Sequence, residues 1–219
     1  TLTLNQMTVK SFIFDGRVFE VSGEGYHAQG SITDAAAPAV AVELAGLLRP
    51  MVACNDSRLE DGKVIGDPME AALLVLAAKG GVLREDVERT LPRIAELPFD
   101  SAHKFMATFH GDGELVQVFV KGAPDVLLAR CSTWLTAGSQ RPLDASRQQQ
   151  ISADYQALGE RGLRCLLIAT RTLAAGSFDA AGDLSAWVGE LCFTGLIGLK
   201  DPPRAEARQA IAECQHAGI

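Results

Sequence analysis

Val116-Gln117-Val118-Phe119-Val120-Lys121-Gly122-Ala123-Pro124-Asp125 is an apolar strand pattern that delivers a lysine and then breaks. Alternation at Val116, Val118 and Val120 fits a half-buried strand, while Gly122 and Pro124 stop the ladder and free the backbone for close approach by a ligand. Lys121 therefore stands at the carboxyl end of a strand, where a fixed cation can meet an anionic ligand such as a phosphate chain. An ordinary solvated lysine closing an edge strand is the competing reading, and the rest of the chain has to decide between the two.

Working outward, Ile94–Pro98, Lys104–His110 and Glu114–Val120 read as three strands. The last two are joined through Gly111-Asp112-Gly113 as an antiparallel hairpin whose second arm is the opening stretch. A further hairpin is expected at Thr8–Phe14 and Arg17–Val21, around the turn Asp15-Gly16. Downstream, Arg164–Thr170 and Cys192–Leu199 are continuous apolar runs, the mark of strands buried on both faces.

Between the strands lie helical patterns. Pro38 to Ala53 carries apolar residues at helical spacing, with Asn55-Asp56-Ser57 as a polar stop. A second helix opens at Gly66-Asp67-Pro68-Met69-Glu70, with Asp67 as cap, Pro68 in the first turn and Glu70 three residues on as in a capping box; it runs to Lys79 and ends at Gly80-Gly81. Arg84–Leu91, Asp125–Cys131, Ala145–Leu158 and Ala205–Ala217 are also read as helices, and Gln140–Leu143 and Ala174–Asp183 as loops. Lys200-Asp201-Pro202-Pro203-Arg204 is a stiff joint and the best candidate for a domain boundary. The hairpins read here are antiparallel, in agreement with the α+β fold, an antiparallel β-sheet flanked by helices, that the resemblance given below implies.

The bulk numbers exclude several function classes. With 219 residues, 47% hydrophobic and 21% charged, the chain is long enough to bury a real core. A net charge of −7 argues against a nucleic-acid groove or an anionic membrane surface as partner, so any phosphate site has to be local. The five cysteines form no C-x-x-C pair and read as reduced, mostly buried thiols; the four histidines show no ligand spacing, so no metal site is expected. No apolar run is long enough to span a bilayer, and direct membrane contact is not expected. The glycines from Gly23 to Gly30 do not make a dinucleotide-binding G-x-G-x-x-G, and a Walker A loop does not occur. Opening on Thr1 and closing on Gly218-Ile219 straight after a helix pattern, the sequence is expected to be cut from something longer.

A set of separated segments, in order, resembles the nucleotide-binding domain of P-type cation-transporting ATPases of the calcium-pump and sodium-pump class. Thr1-Leu2-Thr3-Leu4-Asn5-Gln6-Met7 looks like the run just after the phosphorylated aspartate in that family's D-K-T-G-T-L-T signature, the aspartate itself falling four residues before Thr1. Cys54-Asn55-Asp56-Ser57, Gly66-Asp67-Pro68-Met69-Glu70, Phe99 with Lys104, Lys121-Gly122-Ala123-Pro124, Gly162-Leu163-Arg164-Cys165-Leu166 and Gly198-Leu199-Lys200-Asp201-Pro202-Pro203-Arg204 complete the match.

The resemblance implies residues 1–8 as a fragment of the phosphorylation domain and hinge, 9–199 as the nucleotide-binding domain, and 200–219 as hinge and return to the phosphorylation domain. It implies ATP as ligand, with Mg2+ carried by the nucleotide, and the phosphorylation and actuator domains of a parent pump as partners. The place it implies is the cytoplasmic side of an integral membrane protein.

It also implies roles. Phe99 would be the stacking platform for adenine, although its residue type alone suits a core phenylalanine equally. Glu70 would accept from the adenine amino group, in rivalry or in common with its capping role. Lys121 lies deep in the implied pocket and Lys104 nearer base and phosphates, while Arg164 reaches phosphates or ribose, or else snorkels at a strand end. Met106, Gly122, Ala123 and Cys165 would line the pocket as shape. Phosphoryl transfer needs an acceptor aspartate, and neither D-K-T-G nor D-x-D occurs in these 219 residues, so the chain is expected to bind ATP without turning it over. The alternative is a regulatory or interaction module on the same fold that has lost nucleotide binding.

Overall fold

A computed structural model describes residues 3–36, 43–60 and 63–218. The strands predicted around the opening stretch form and pair as expected. β6 (Arg93–Asp100), β7 (Phe105–Asp112) and β8 (Leu115–Gly122) are consecutive antiparallel neighbours, with β7 and β8 in continuous register from Asp112↔Leu115 to Phe105↔Gly122. β1 (Thr8–Phe14) and β2 (Arg17–Val21) make the first hairpin. β11 (Arg164–Ala174) and β12 (Leu191–Lys200) are the central strands, as their unbroken apolar runs required.

With β3 (Ile32–Asp34), the sheet order is β3-β2-β1-β12-β11-β8-β7-β6. β8 is therefore an interior strand between β11 and β7, so Lys121 does not close an edge.

The sheet carries helices on both faces, and strand alternation assigns each side chain to one of them. α1 (Ala45–Ala53), α2 (Pro68–Lys79) and α3 (Arg84–Thr90) pack Leu47, Met51, Leu73, Leu76 and Val87 against Phe12, Met106, Phe119 and Ile168. On the other face α4 (Pro124–Leu127) and α5 (Ala145–Glu160) place Leu127, Ile151 and Leu158 over Phe105, Phe109, Val116, Val118 and Val120. The valines that announced β8 thus face α4 and α5. The alternate residues Phe119 and Lys121 face α1 and α2. α6 (Ala205–His216) follows the Pro202-Pro203 joint, where Leu4 N donates to the Pro202 carbonyl at 3.0 Å and Gln6 N to Asp201 Oδ1 at 3.2 Å.

Several expectations need correction. The helix expected over Asp125–Cys131 is only Pro124–Leu127 plus a 3-10 turn, Leu128–Arg130. Cys131 instead begins β9 (Cys131–Thr136), which pairs with β10 (Ser139–Pro142), so Gln140–Pro142 is strand rather than loop. The signal was present: Thr133, Trp134 and Thr136 favour a strand, and Ala137 and Gly138 both take positive φ in a two-residue hairpin turn. β9 lies parallel to β12, so the sheet is not purely antiparallel. A small hairpin, β4 (Arg58–Glu60) with β5 (Lys63–Ile65), comes after the polar stop that ends α1. The first part of the helix expected from Pro38 lies outside the described residues.

Candidate functional site

α2 starts where the sequence says it should, because Asp67 Oδ1 accepts from Met69 N at 2.8 Å and Glu70 N at 3.2 Å, with Pro68 at the first helical position. The reciprocal half of a capping box is not what Glu70 does. Its carboxylate turns to the segment after α1 and to β8: Oε2 accepts from Asp56 N (2.9 Å), Ser57 N (3.0 Å) and Ser57 Oγ (3.1 Å), and Oε1 pairs with Lys121 Nζ at 2.5 Å. Lys121 Nζ also donates to the Cys54 carbonyl at 2.5 Å. The side chains of Lys121 and Glu70 are only 9% and 14% exposed, so this is a buried ion pair whose charges are also hydrogen-bonded.

Gly122 serves another purpose than the one expected of it. It stays in the ladder, paired with Phe105 on β7 and Leu167 on β11. A Cβ there would stand 2.5 Å from the Lys104 carbonyl oxygen and 2.6 Å from Phe105 Cβ. The missing side chain admits the neighbouring strand, whose Lys104 carbonyl also accepts from Ala123 N at 3.0 Å. The ladder ends one residue later, at Ala123, before Pro124 opens α4.

The opposite wall is built by the turn from β6 to β7. Phe99 sits where the register between β6 and β7 shifts, and its ring is 64% exposed, which rules out the core reading of this residue. The turn closes by Lys104 N donating to the Asp100 carbonyl at 2.7 Å and Ala102 N to Asp100 Oδ1 at 2.6 Å. Lys104 adopts φ +59°, the left-handed region that a non-glycine residue enters only when its surroundings hold it there. Its ammonium lies 3.4 Å from Asp125 Oδ2, both groups being about half exposed. Arg164 opens β11 and is exposed, without an ion pair among the described residues.

These walls enclose a cavity of about 590 Å3 lined by Glu70, Phe99, Lys104, Lys121, Gly122, Ala123, Arg164 and Cys165. The volume suits a nucleoside-sized ligand. Eight of the nine site residues expected from the sequence therefore meet in one place. Met106 does not: it is the register partner of Lys121 and shares its sheet face, but at 1% exposure it is packed in the core beneath that lysine.

Sequence reasoning missed Asn5, Met7, Leu73, Leu166 and Asp201, which also line the cavity. Leu73 is one helical turn beyond Glu70 and Leu166 is next to Cys165, so spacing offered a signal for both. Asn5, Met7 and Asp201 come from the two ends of the sequence, and only the tertiary structure brings them to this mouth.

The electrostatics are those of a mixed site. Lys104, Lys121 and Arg164 supply three cations, against Glu70, Asp67 and Asp201. Burial pushes the Cys165 thiol up to about 11, so it lines the wall as a neutral group at neutral pH. Burial likewise raises the Cys54 thiol, with the nearby Lys121 ammonium opposing. No cluster of three metal-ligating side chains occurs among the described residues, and among them no helix is long and apolar enough to cross a membrane.

The fold is thus an α+β sheet carrying a cavity that combines an exposed aromatic residue, a buried cation and two cations at its rim. Residues 43–206 match the family model described as "P-type ATPase, cytoplasmic domain N", and the chain belongs to that family. It is 36% identical to cation-transporting ATPase pma1 of Synechocystis and 37% identical to a calcium-transporting ATPase of Bacillus subtilis, in each case over all of this chain and 25% of the relative. The alpha-2 subunit of the rat sodium/potassium-transporting ATPase is 33% identical over all of this chain and 23% of that protein. The chain thus spans about a quarter of the length of these relatives.

Proposed function

We propose that this domain binds ATP in the cavity between Phe99 and the Glu70–Lys121 pair and presents its phosphates to an acceptor aspartate carried by a neighbouring phosphorylation domain. The observation that carries the reading is the exposed Phe99 ring on a cavity whose far wall holds Lys121 and whose rim holds Lys104 and Arg164. An aromatic face beside fixed cations offers a flat anionic ligand a stacking surface and opposite charge together. Stacking of adenine there contributes on the order of 1–3 kcal/mol.

In this reading each residue has one task. Phe99 orients the base, and Glu70 Oε1 accepts from its exocyclic amine. Lys121 fixes that carboxylate and supplies positive charge at depth. Lys104 and Arg164 meet ribose or phosphate at the rim, and Ala123 and Cys165 shape the wall. Mg2+ enters with the nucleotide, supplying charge neutralisation at its phosphates. Backbone amides are not arranged as a phosphate loop, so affinity rests on one stack and a few screened charges and falls in the micromolar to millimolar range, on the order of 4–8 kcal/mol.

The parent is a cation-transporting pump of the membrane, with this domain on its cytoplasmic side and the phosphorylation and actuator domains as its partners. The domain divisions 1–8, 9–199 and 200–219 belong to the same proposal. Because the chain contains no D-K-T-G acceptor, it binds without turnover.

Titration of the chain with ATP, monitored by calorimetry or NMR, tests this. Saturable binding that perturbs Phe99 and is weakened in Lys121→Ala and Phe99→Ala is expected. An unchanged titration curve for both variants sinks the site, and a phosphoenzyme formed on this chain sinks the assignment of the acceptor to another domain.

A further inference from the structure

Two side chains behind the cavity are completely buried and polar, Asn55 and Ser57, both at 0% exposure. Neither lines the cavity, yet the bonds of their side chains reach Glu70, the start of its helix, the end of α1 and the turn between the two helices. Ser57 N and Ser57 Oγ both donate to Glu70 Oε2, and the same hydroxyl lies 3.0 Å from the Asp67 carbonyl, so its single hydrogen is shared between the carboxylate and the helix cap. Asn55 Nδ2 donates to the Glu70 carbonyl at 2.9 Å and to the Met51 carbonyl at 3.3 Å, and its Oδ1 accepts from Ser57 N at 3.0 Å. Asn55 therefore ties the end of α1 to the first turn of α2.

The turn 54–57 is gripped from behind as well. Arg93 Nη2 donates to the carbonyls of Ala53 and Asn55, both at 2.9 Å, while its Nη1 pairs with Asp56 and Glu96. Arg84 Nη1 donates to the Ser57 carbonyl. From the front, the Cys54 carbonyl receives Lys121. The chain opposite makes room for this turn: Gly66 has φ +117°, and a Cβ there would stand 2.4 Å from Ser57 Oγ.

The consequence lies in how Glu70 is satisfied. Among the described residues three donors occupy Oε2, whereas Oε1 receives Lys121 alone, which leaves it a further acceptor position. The terminal carboxylate torsion is soft and two-fold on its own, so something must choose which oxygen is saturated. We infer that Ser57 and Asn55 are positioning residues that lock the Glu70 carboxylate in one rotation, so that Oε1 alone is offered to the ligand and Lys121 is held beside it. The inference rests on the proposed nucleotide reading and assigns base selectivity to side chains that never touch the base. A merely structural role would weaken all ligands alike; a locked acceptor favours a ligand that presents an exocyclic amine to it.

The test compares ATP with inosine triphosphate, whose purine carries a carbonyl where adenine carries the amine, on the wild-type chain, Glu70→Gln and Ser57→Ala. Thermal denaturation monitors the fold of each. Loss of one hydrogen bond to a charged acceptor predicts that Ser57→Ala lowers the ATP-over-inosine-triphosphate preference by roughly 3- to 10-fold while inosine triphosphate binds within about 2-fold of wild type. Glu70→Gln should abolish the preference.

A folded Ser57→Ala with the wild-type preference, or one that weakens both nucleotides equally, overturns the positioning role while leaving the site reading intact. A wild-type chain without the preference, or Glu70→Gln that retains it, overturns the site reading and this inference with it. Should Ser57→Ala fail to fold, Arg84→Met removes a donor to the Ser57 carbonyl without touching Ser57 or Glu70 side chains. The same loss of preference is then expected at about 2-fold, and an unchanged ratio overturns the proposal.

Discussion

The two walls of the cavity are built on opposite physical terms. The inner wall, Lys121 with Glu70, is largely buried, paired, and held by carbonyls and amides of the turn after α1. The outer wall, Phe99 with Lys104, stands in water on a turn, with Lys104 in the left-handed region and its ammonium in an exposed pair. A buried charge pair couples ligand binding to folding, because removing either partner strands the other; an exposed ring and an exposed ammonium can be removed with little cost to the fold. The difference divides recognition into a fixed reader and a replaceable cover.

Lys121→Ala is the strongest way to test that division. It should lower stability by about 2–4 kcal/mol, less than the full cost of a broken buried pair because Glu70 keeps three donors. It should also weaken ATP binding by at least about 10-fold. Urea unfolding and calorimetry read the two effects, and loss of binding with wild-type stability would show that the inner wall is not coupled to the fold. Gly122→Ala forces its Cβ on the Lys104 carbonyl and Phe105, and should cost about 1–3 kcal/mol of stability by overpacking, again in urea.

Phe99→Ala should behave in the opposite way, losing about 1–3 kcal/mol of nucleotide binding with the fold unchanged within about 0.5 kcal/mol. A drop in melting temperature as large as that of Gly122→Ala would place the ring in the core after all and erase the contrast between walls. Lys104→Ala should change binding by less than about 1 kcal/mol, and the difference should vanish in high salt. Persistence of the effect at 1 M salt, about 3 Å screening length, would mean the rim charge is as sheltered as Lys121.

Acid provides a last comparison, since the turn behind the inner wall rests near a buried histidine. His110 Nδ1 lies 2.8 Å from the Leu91 carbonyl, and burial together with the Arg93 charge holds the imidazole below its ordinary value, with carbonyl contacts opposing. The folded state disfavours the proton that the unfolded chain takes up near pH 6.5. Stability from this group is complete above that pH and is lost as pH falls below it. His110→Gln should flatten the fall that sets in below about pH 6.5 in urea-unfolding series; an unaltered slope would remove His110 as its source.

Legibility in the sequence tracked the strength of local signals. The β1–β2 hairpin, the β7–β8 hairpin, β11, β12 and the cap at Asp67 each carry a turn dipeptide, an alternation or an apolar run that local sterics suffice to interpret. The β9–β10 hairpin went unread although Thr133 to Thr136 favour a strand, because α4 was extended across Cys131. The parallel pairing of β9 with β12 joins residues about 60 apart, and no short window contains it. Pocket membership was legible for eight residues through the family's motifs, while Met106, which lies outside those motifs, is core because its place in the sequence says nothing of depth beneath a neighbouring lysine.

By itself the sequence determined the β1–β2 and β7–β8 hairpins, the apolar strands β11 and β12, the capped start of α2 and the chemical kinds of group available to a ligand, because these depend on propensity and spacing along the chain. The tertiary structure alone decided that Lys121 is interior and paired with Glu70, that Gly122 stays in the ladder and admits the neighbouring strand, and that Ser57 and Asn55 stand behind the carboxylate. Charge pairing, close approach and burial are relations between distant segments, and they acquire a value only when the sheet brings those segments within bonding distance.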